Sequence, residues 1–119
     1  EAVTANDIIA GYRQVITRAH ANAIRILGTT IPPFEGAKFE AAGMNIDLYS
    51  PERDRTRMAV NDWIRHSGSF DGIVDFDQAV RDPDRPARLL PEFAAEDHLH
   101  VNDAGNVAQA GAIPLDLFQ

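Results

Sequence analysis

Two short apolar runs, separated by a segment of helical periodicity, constrain the fold of this 119-residue chain more than any other feature. The first run extends from Ile24 to Thr30 and the second from Gly72 to Phe76. Both contain the β-branched residues that are favoured in buried strands. Strands that alternate with helices are expected to lie parallel in one sheet, joined by right-handed crossovers. The sequence therefore predicts an α/β fold, and the length fits one domain over residues 1–119.

Local capping signals mark where the first two helices begin. Thr4 and Asp7 form a pair that resembles a capping box, which predicts a helix from Thr4 to about Asn22. Ser50 followed by Pro51 starts the second helix, with serine as N-cap and proline at the first helical position. The predicted buried side of this second helix consists of Met58, Ala59, Trp63 and Ile64.

The remaining segments are predicted from turn residues. Gly68 should stop the second helix, and the stretch from Phe34 to Tyr49 is expected to be a long irregular loop. A proline-rich and charged loop is predicted from Asp82 to Pro91. Asn102 is expected to cap a last helix over residues 103–112. Asp75 and Asp77, at the end of the second strand, are expected to cap the segment that follows.

The charge balance argues against nucleic acid as a partner. The net charge is −7, whereas a nucleic-acid binder normally carries a basic patch that neutralises phosphates. Four arginines alternate with acidic residues along the second helix, which favours a solvated face. These arginines are Arg53, Arg55, Arg57 and Arg65.

Cysteines and long apolar runs are both missing from the sequence. Without cysteine there is no disulfide framework, which fits a cytosolic protein and a secreted one equally. No apolar run approaches the roughly 18 residues of a membrane helix, so no membrane span is expected. The localisation stays open.

Asp97 and His100 are the candidate catalytic residues. In a serine hydrolase an imidazole takes the proton of the serine hydroxyl, and a carboxylate fixes the imidazole tautomer and stabilises the imidazolium. Two alternatives remain at this point. The aspartate could simply accept backbone hydrogen bonds in a polar loop, or His98 and His100 could bind a metal with help from Asp97 and Asp103.

Other candidate side chains have structural interpretations. Ser50 is expected to be a helix cap, and Ser67 and Ser69 are expected to be turn residues, so none is favoured as a nucleophile. His20 and His66 are expected to lie at the surface near helix ends.

The segment around the Asp–His pair resembles a family motif. Residues 97–105 read DHLHVNDAG, similar to the block D-x-L-H-P-N-D-x-G of the SGNH/GDSL-type serine esterases and lipases. Further segments are similar in the same order along the chain. They are Gly11–Gln14 with Arg18–Ala21, Pro33–Ala37, Arg57–Arg65, Phe70–Asp77 and Arg81–Pro83. The chain departs from the usual pattern at Pro32, Glu96, Val101 and Asn106.

This resemblance implies a fold and a chemistry. It implies the C-terminal half of a three-layer α/β/α, flavodoxin-like sheet of order 2-1-3-4-5, to which this chain would contribute strands four and five. It implies ester hydrolysis through an acyl-serine intermediate, with His100 as general base, Asp97 as its orienting carboxylate and no cofactor or metal. The expected substrates are small esters, acetylated sugars or lipids.

The family's serine, glycine and asparagine blocks have no counterpart in these residues. The chain alone is therefore expected to hydrolyse esters little or not at all, and whether it is an enzyme in its own right stays open. Three interpretations follow: a fragment of an active hydrolase, a non-catalytic remnant that acts as an oligomeric binding module, or a truncated enzyme whose site is rebuilt across a subunit interface. Each interpretation implies that the chain binds a partner, which is either a second copy of the chain or the missing N-terminal half.

Overall fold

A computed structural model describes residues 2–119 as an α/β domain built around a small parallel sheet. In chain order the elements are α1 (Ala5–Ala21), β1 (Leu27–Thr29), β2 (Lys38–Ala41), β3 (Met44–Asp47), α2 (Pro51–His66), β4 (Gly72–Val74), α3 (Phe76–Val80), a 3-10 turn (Pro91–Phe93), α4 (Asp103–Gly111) and a second 3-10 turn (Leu115–Phe118).

The two strands predicted as parallel neighbours do pair in parallel. Leu27 lies opposite Gly72 and Thr29 opposite Val74, so the α/β class is confirmed. Both strands are shorter than predicted. After α1 the chain turns through Ala23 at a φ of 54°, and Asp75 ends β4 because its side chain caps α3.

The predicted N-caps of α1, α2 and α4 are present, and Asp75 caps α3, whereas Asp77 caps no element and accepts hydrogen bonds from arginines instead. Thr4 and Asp7 form a complete capping box at α1, and Asn22 is its C-cap. The Ser50 hydroxyl accepts a hydrogen bond from the Arg53 amide, and Asn102 caps α4. Capping depends on residues three positions apart, so the sequence alone carries the information.

An aromatic cluster joins α1 and α2 to the sheet. The Tyr12 ring stacks on Trp63 with centroids 6.4 Å apart, and the edge of Phe70 meets both rings. Gly28 on β1 lies directly beneath this cluster, because a Cβ at that position would lie 2.5 Å from the Phe70 ring. Glycine therefore allows the helices to pack closely against β1.

The predicted buried side of α2 is partly wrong. Met58 is 49% exposed and Ala59 is also exposed, whereas Ile64 is buried as expected. The helix is rotated so that a polar stripe faces the interior. The buried residues of α2 are Asp54, Arg57, Val60, Asn61 and Ile64.

The expectation that the α2 arginines form a solvated face is wrong for two of the four. Arg57 is only 5% exposed, and its guanidinium binds Asp54 and Asp77 at 2.7 Å each. Arg65 is half-buried and binds Asp75 and Asp77, also at 2.7 Å. Asp77 on α3 and Asp75, the N-cap of α3, draw these arginines inward, while Arg53 and Arg55 remain exposed.

The segment expected to be an irregular loop contains a β-hairpin instead. Strands β2 and β3 pair antiparallel, with Phe39 opposite Ile46. The turn between them uses Ala42 and Gly43, both with positive φ. Alanine is uncommon in that conformation, which is why the turn was not predicted. Phe39, Ala41, Met44 and Ile46 share one face of this hairpin, since alternate strand residues point the same way.

Candidate functional site

Asp97 and His100 lie in a closed loop formed by residues 94–101, between the first 3-10 turn and α4. Ala94 and Val101 form an isolated antiparallel bridge at its base. Inside the bridge the Ala95 amide donates to the His100 carbonyl at 2.9 Å, and the His98 amide donates to the Ala95 carbonyl at 3.1 Å. These bonds give the loop a fixed conformation.

The two candidate side chains are in direct contact. His100 Nδ1 lies 2.6 Å from Asp97 Oδ2. The other carboxylate oxygen, Oδ1, accepts hydrogen bonds from the backbone amides of Leu99 at 3.0 Å and His100 at 2.9 Å. The carboxylate is therefore oriented by the turn itself, and it orients the imidazole in turn. Asp97 thus accepts backbone amides, as the structural alternative expected, and also binds the histidine, as the catalytic interpretation expected.

The electrostatics of the pair favour an ionised carboxylate. The side-chain hydrogen bond from His100, together with the amides of His100 and Leu99, holds the pKa of Asp97 well below its usual range. An ionised Asp97 fixes the proton of a neutral imidazole on Nδ1 and leaves Nε2 as the basic nitrogen. The His100 side chain is 75% exposed, and within residues 2–119 its Nε2 atom makes no hydrogen bond.

The loop is docked against the segment that follows β1. The Lys38 amide donates to the Asp97 carbonyl at 3.3 Å, and the ring of His98 lies 3.5 Å from where a Cβ would stand on Gly36. Gly36 and Lys38 lie seven and nine positions beyond Thr29, the last residue of β1.

Asn61 and Arg57 anchor that segment where it leaves β1. The Asn61 side chain accepts from the Ile31 amide at 2.7 Å and donates to the Ile31 carbonyl at 2.9 Å. Arg57 donates to the Ile31 carbonyl at 3.2 Å and to the Pro86 carbonyl at 3.3 Å. Neither role was predicted from the sequence, because helical periodicity does not show which backbone groups a buried polar side chain will meet.

A shallow cavity of about 270 Å³ borders the loop on the His98 side. Leu89, Pro91 and Ala95 supply apolar surface, while Glu35 and His98 supply polar groups. Glu35 is held by an ion pair with Arg85. His98 is exposed, and its backbone has a positive φ of 55°.

The other candidate residues take the positions expected of them. His20 binds Asp71 and His66 binds Asp62, both in exposed pairs. Ser67 accepts a hydrogen bond from the Ser69 amide in the turn after α2. In the part of the chain that the structure describes, no serine is hydrogen-bonded to His100, and no three acidic, histidine or cysteine side chains are grouped to hold a metal.

No protein-family model matches the chain, and a comparison with curated proteins finds no significant match. Across residues 2–119, every helix is too short or too polar to cross a membrane.

Proposed function

We propose that this chain supplies the general-base half of a serine ester hydrolase site. His100 acts as the base and Asp97 as its orienting carboxylate. The observation that carries the proposal is the 2.6 Å contact between His100 Nδ1 and Asp97 Oδ2, made by a side chain that is 75% exposed. A serine hydroxyl placed at Nε2 would lose its proton there as it attacks an ester carbonyl.

Sequence and geometry support the SGNH/GDSL resemblance in different ways. The Asp–His spacing and the helix that follows agree with the family's block, in which both residues lie on one loop. The parallel pairing of β1 with β4 agrees with the family's adjacent strands four and five. By this proposal the domain is part of a three-layer, flavodoxin-like sheet, and its substrates are small esters or acetylated carbohydrates.

The proposal requires a serine from outside these 119 residues. Ser50 and Ser67 are engaged in a helix cap and a turn, and the family's nucleophile and oxyanion blocks do not occur in the sequence. Oxyanion donors typically contribute about 3–4 kcal/mol to transition-state stabilisation. An imidazole without a serine and oxyanion donors provides only general-base catalysis.

Complementation tests the proposal directly. The chain is mixed with a separately produced polypeptide that carries the family's serine, glycine and asparagine blocks, and hydrolysis of 4-nitrophenyl acetate is measured. Alone, the chain should hydrolyse this ester no faster than free imidazole. Turnover is expected on mixing, with a loss of at least about 1,000-fold for His100→Ala and a smaller loss for Asp97→Asn.

The chain offers a matched control for this experiment. His66 is also an exposed histidine bound to an aspartate, with Nδ1 3.0 Å from Asp62 Oδ1, but it lies at the end of α2. His66→Ala should leave turnover unchanged. Turnover that survives His100→Ala, or a mixture that stays at the imidazole rate, would contradict the proposal.

A second candidate is a binding module that works through oligomerisation. It is favoured by one specific observation: β1 pairs only with β4, so its other edge carries no strand within the described residues. Open N–H and C=O groups at such an edge invite pairing with another chain. The same partner could contribute a serine, so the two candidates are compatible.

A further inference from the structure

Asn102 makes more contacts than a helix cap needs. Its Oδ1 atom accepts from the Gly105 amide at 3.0 Å, which is the capping bond. Its Nδ2 atom donates to the carbonyls of Glu92 at 2.9 Å and Ala94 at 3.3 Å. Its backbone amide also donates to the Phe93 carbonyl at 2.9 Å. One residue thus joins α4 to two positions of the preceding turn, Glu92 and Phe93, and to Ala94, which follows it.

Glu92 and Phe93 lie immediately before the loop of residues 94–101, Ala94 is its first residue, and Asn102 lies immediately after it. The side chain therefore ties the two ends of the loop together, outside the bridge between Ala94 and Val101. Asp97 and His100 lie between the tied ends. Movement of either end would change how the Asp97 carboxylate meets the amides of Leu99 and His100.

Gly105 brings α4 into direct contact with both ends of the loop. A Cβ at this position would lie 2.6 Å from Val101 Cβ and 2.8 Å from the Phe93 carbonyl oxygen. Such distances do not occur without displacement of the neighbours. The start of α4 is therefore packed against the loop base, and the Asn102 side chain lies at this contact.

The chemistry of the partners explains why this residue is asparagine. The Gly105 amide needs an acceptor, and the Glu92 and Ala94 carbonyls need donors. Only a side chain with a carbonyl and an NH₂ group on the same carbon meets both needs at this length. Serine, threonine and aspartate would cap α4 equally well, but none offers two donors.

We propose that Asn102 is a positioning residue, whose side-chain amide closes the loop that carries Asp97 and His100 in addition to capping α4. The importance of this role for hydrolysis rests on the proposed function. The loop closure does not rest on the proposed function, so an experiment can contradict the loop closure and the proposed function separately.

Asn102→Asp separates the two roles. The carboxylate keeps the capping acceptor and is favoured near a helix N-terminus, whereas both donated hydrogen bonds are lost. Hydrogen exchange of the Leu99 and His100 amides is measured by NMR on the full chain, relative to the Val60 amide in α2. We expect the ratio to rise about tenfold, corresponding to about 1.4 kcal/mol for the lost bonds, with little change in melting temperature. The Asp97 pKa, followed by its carboxyl carbon shift, should rise.

A second variant keeps the test decisive if Asn102→Asp folds poorly. Asn102→Ser also retains the cap and has no NH₂ group, so it cannot donate to both carbonyls, and the Val60 amide reports any change in global stability separately. An unchanged exchange ratio in whichever variant folds would overturn the inference. In the complemented enzyme the variant should lower kcat more than it changes KM. Hydrolysis that proves independent of His100 would refute the proposed function and leave the exchange result standing.

Discussion

At the scale of single residues, Asp75 shows how one carboxylate serves several elements. It caps α3 through the Gln78 amide at 3.1 Å and accepts from the Thr30 hydroxyl at 2.8 Å. Arg65 donates to both of its oxygens, at 2.7 and 2.8 Å. Burial opposes ionisation, but the hydrogen bonds from Arg65, Gln78 and Thr30 outweigh it and lower the pKa of Asp75 to about 2.

This lowered pKa predicts a stability change in acid. Between about pH 4 and about pH 2 the unfolded chain binds more protons at this site than the folded chain, so the free energy of unfolding falls as pH falls. Asp75→Asn removes the carboxylate. Wild type should therefore exceed the variant in free energy of unfolding by the largest amount at pH 7. This difference should shrink below about pH 4. The shrinkage should be on the order of 1 kcal/mol after solvent screening.

Urea unfolding at several pH values measures this difference. Repeating the comparison in an Arg65→Gln background should give a weaker pH dependence, because the principal ion pair is already absent. A difference between Asp75→Asn and wild type that stays constant from neutral to acid pH would contradict the prediction.

At the scale of elements, α2 is stabilised by a buried charge network in addition to apolar packing. Arg57 binds Asp54 on its own helix and Asp77 on α3, and all three side chains are at least 92% buried. Within the described residues, no buried side-chain nitrogen or oxygen lacks a hydrogen-bond partner. A pair of this kind is costly to break because the remaining charge is left in the interior.

Arg57→Ala is expected to lower the free energy of unfolding by about 3–5 kcal/mol, since Asp54 and Asp77 would lose their shared counter-charge. Urea denaturation at pH 7 measures the change. Arg55→Ala on the exposed side of the same helix is the matched control and should stay within about 0.5 kcal/mol of wild type. A loss below about 1 kcal/mol for Arg57→Ala would show that the network contributes little.

The same helix shows what the sequence can and cannot predict. The cap at Ser50 follows from local residues and was predicted correctly. The burial of Arg57 was not, because its partner Asp77 lies 20 positions away and on a helix of only five residues. Likewise the Asp97–His100 contact was expected from the resemblance of residues 97–105 to the family's block, whereas the bonds from Asn102 to Glu92 and Ala94 depend on how α4 packs.

At the scale of the whole molecule, one edge of β1 carries no partner strand within the described residues. Val15 and Ile24 beside it are more than half exposed, as are Leu115 and Phe118 in the last turn. Arg25, two residues before β1, contacts that last turn by donating to the Leu117 carbonyl at 2.9 Å. Two-stranded sheets have marginal stability on their own, so we expect another chain to cover this edge.

Light scattering at low micromolar concentration should therefore give a mass above that of the monomer, with a closed twofold dimer as the simplest assembly. Ile26→Lys places a charge at the edge and should shift the mass towards the monomer. Val107→Lys, on an exposed position of α4, is the control and should not. A wild-type monomer that melts cooperatively would refute the prediction.

The pairing of β1 with β4 also governs the order of events during synthesis. Ile26 and Asp71, which are hydrogen-bonded at the start of the sheet, are 45 positions apart in sequence. At about 5–20 residues per second, a ribosome needs roughly two to nine seconds to make the intervening chain. During that interval the first strand has been translated and its partner has not, so a nascent chain presents its apolar strand to chaperones and to neighbouring chains before the sheet can form.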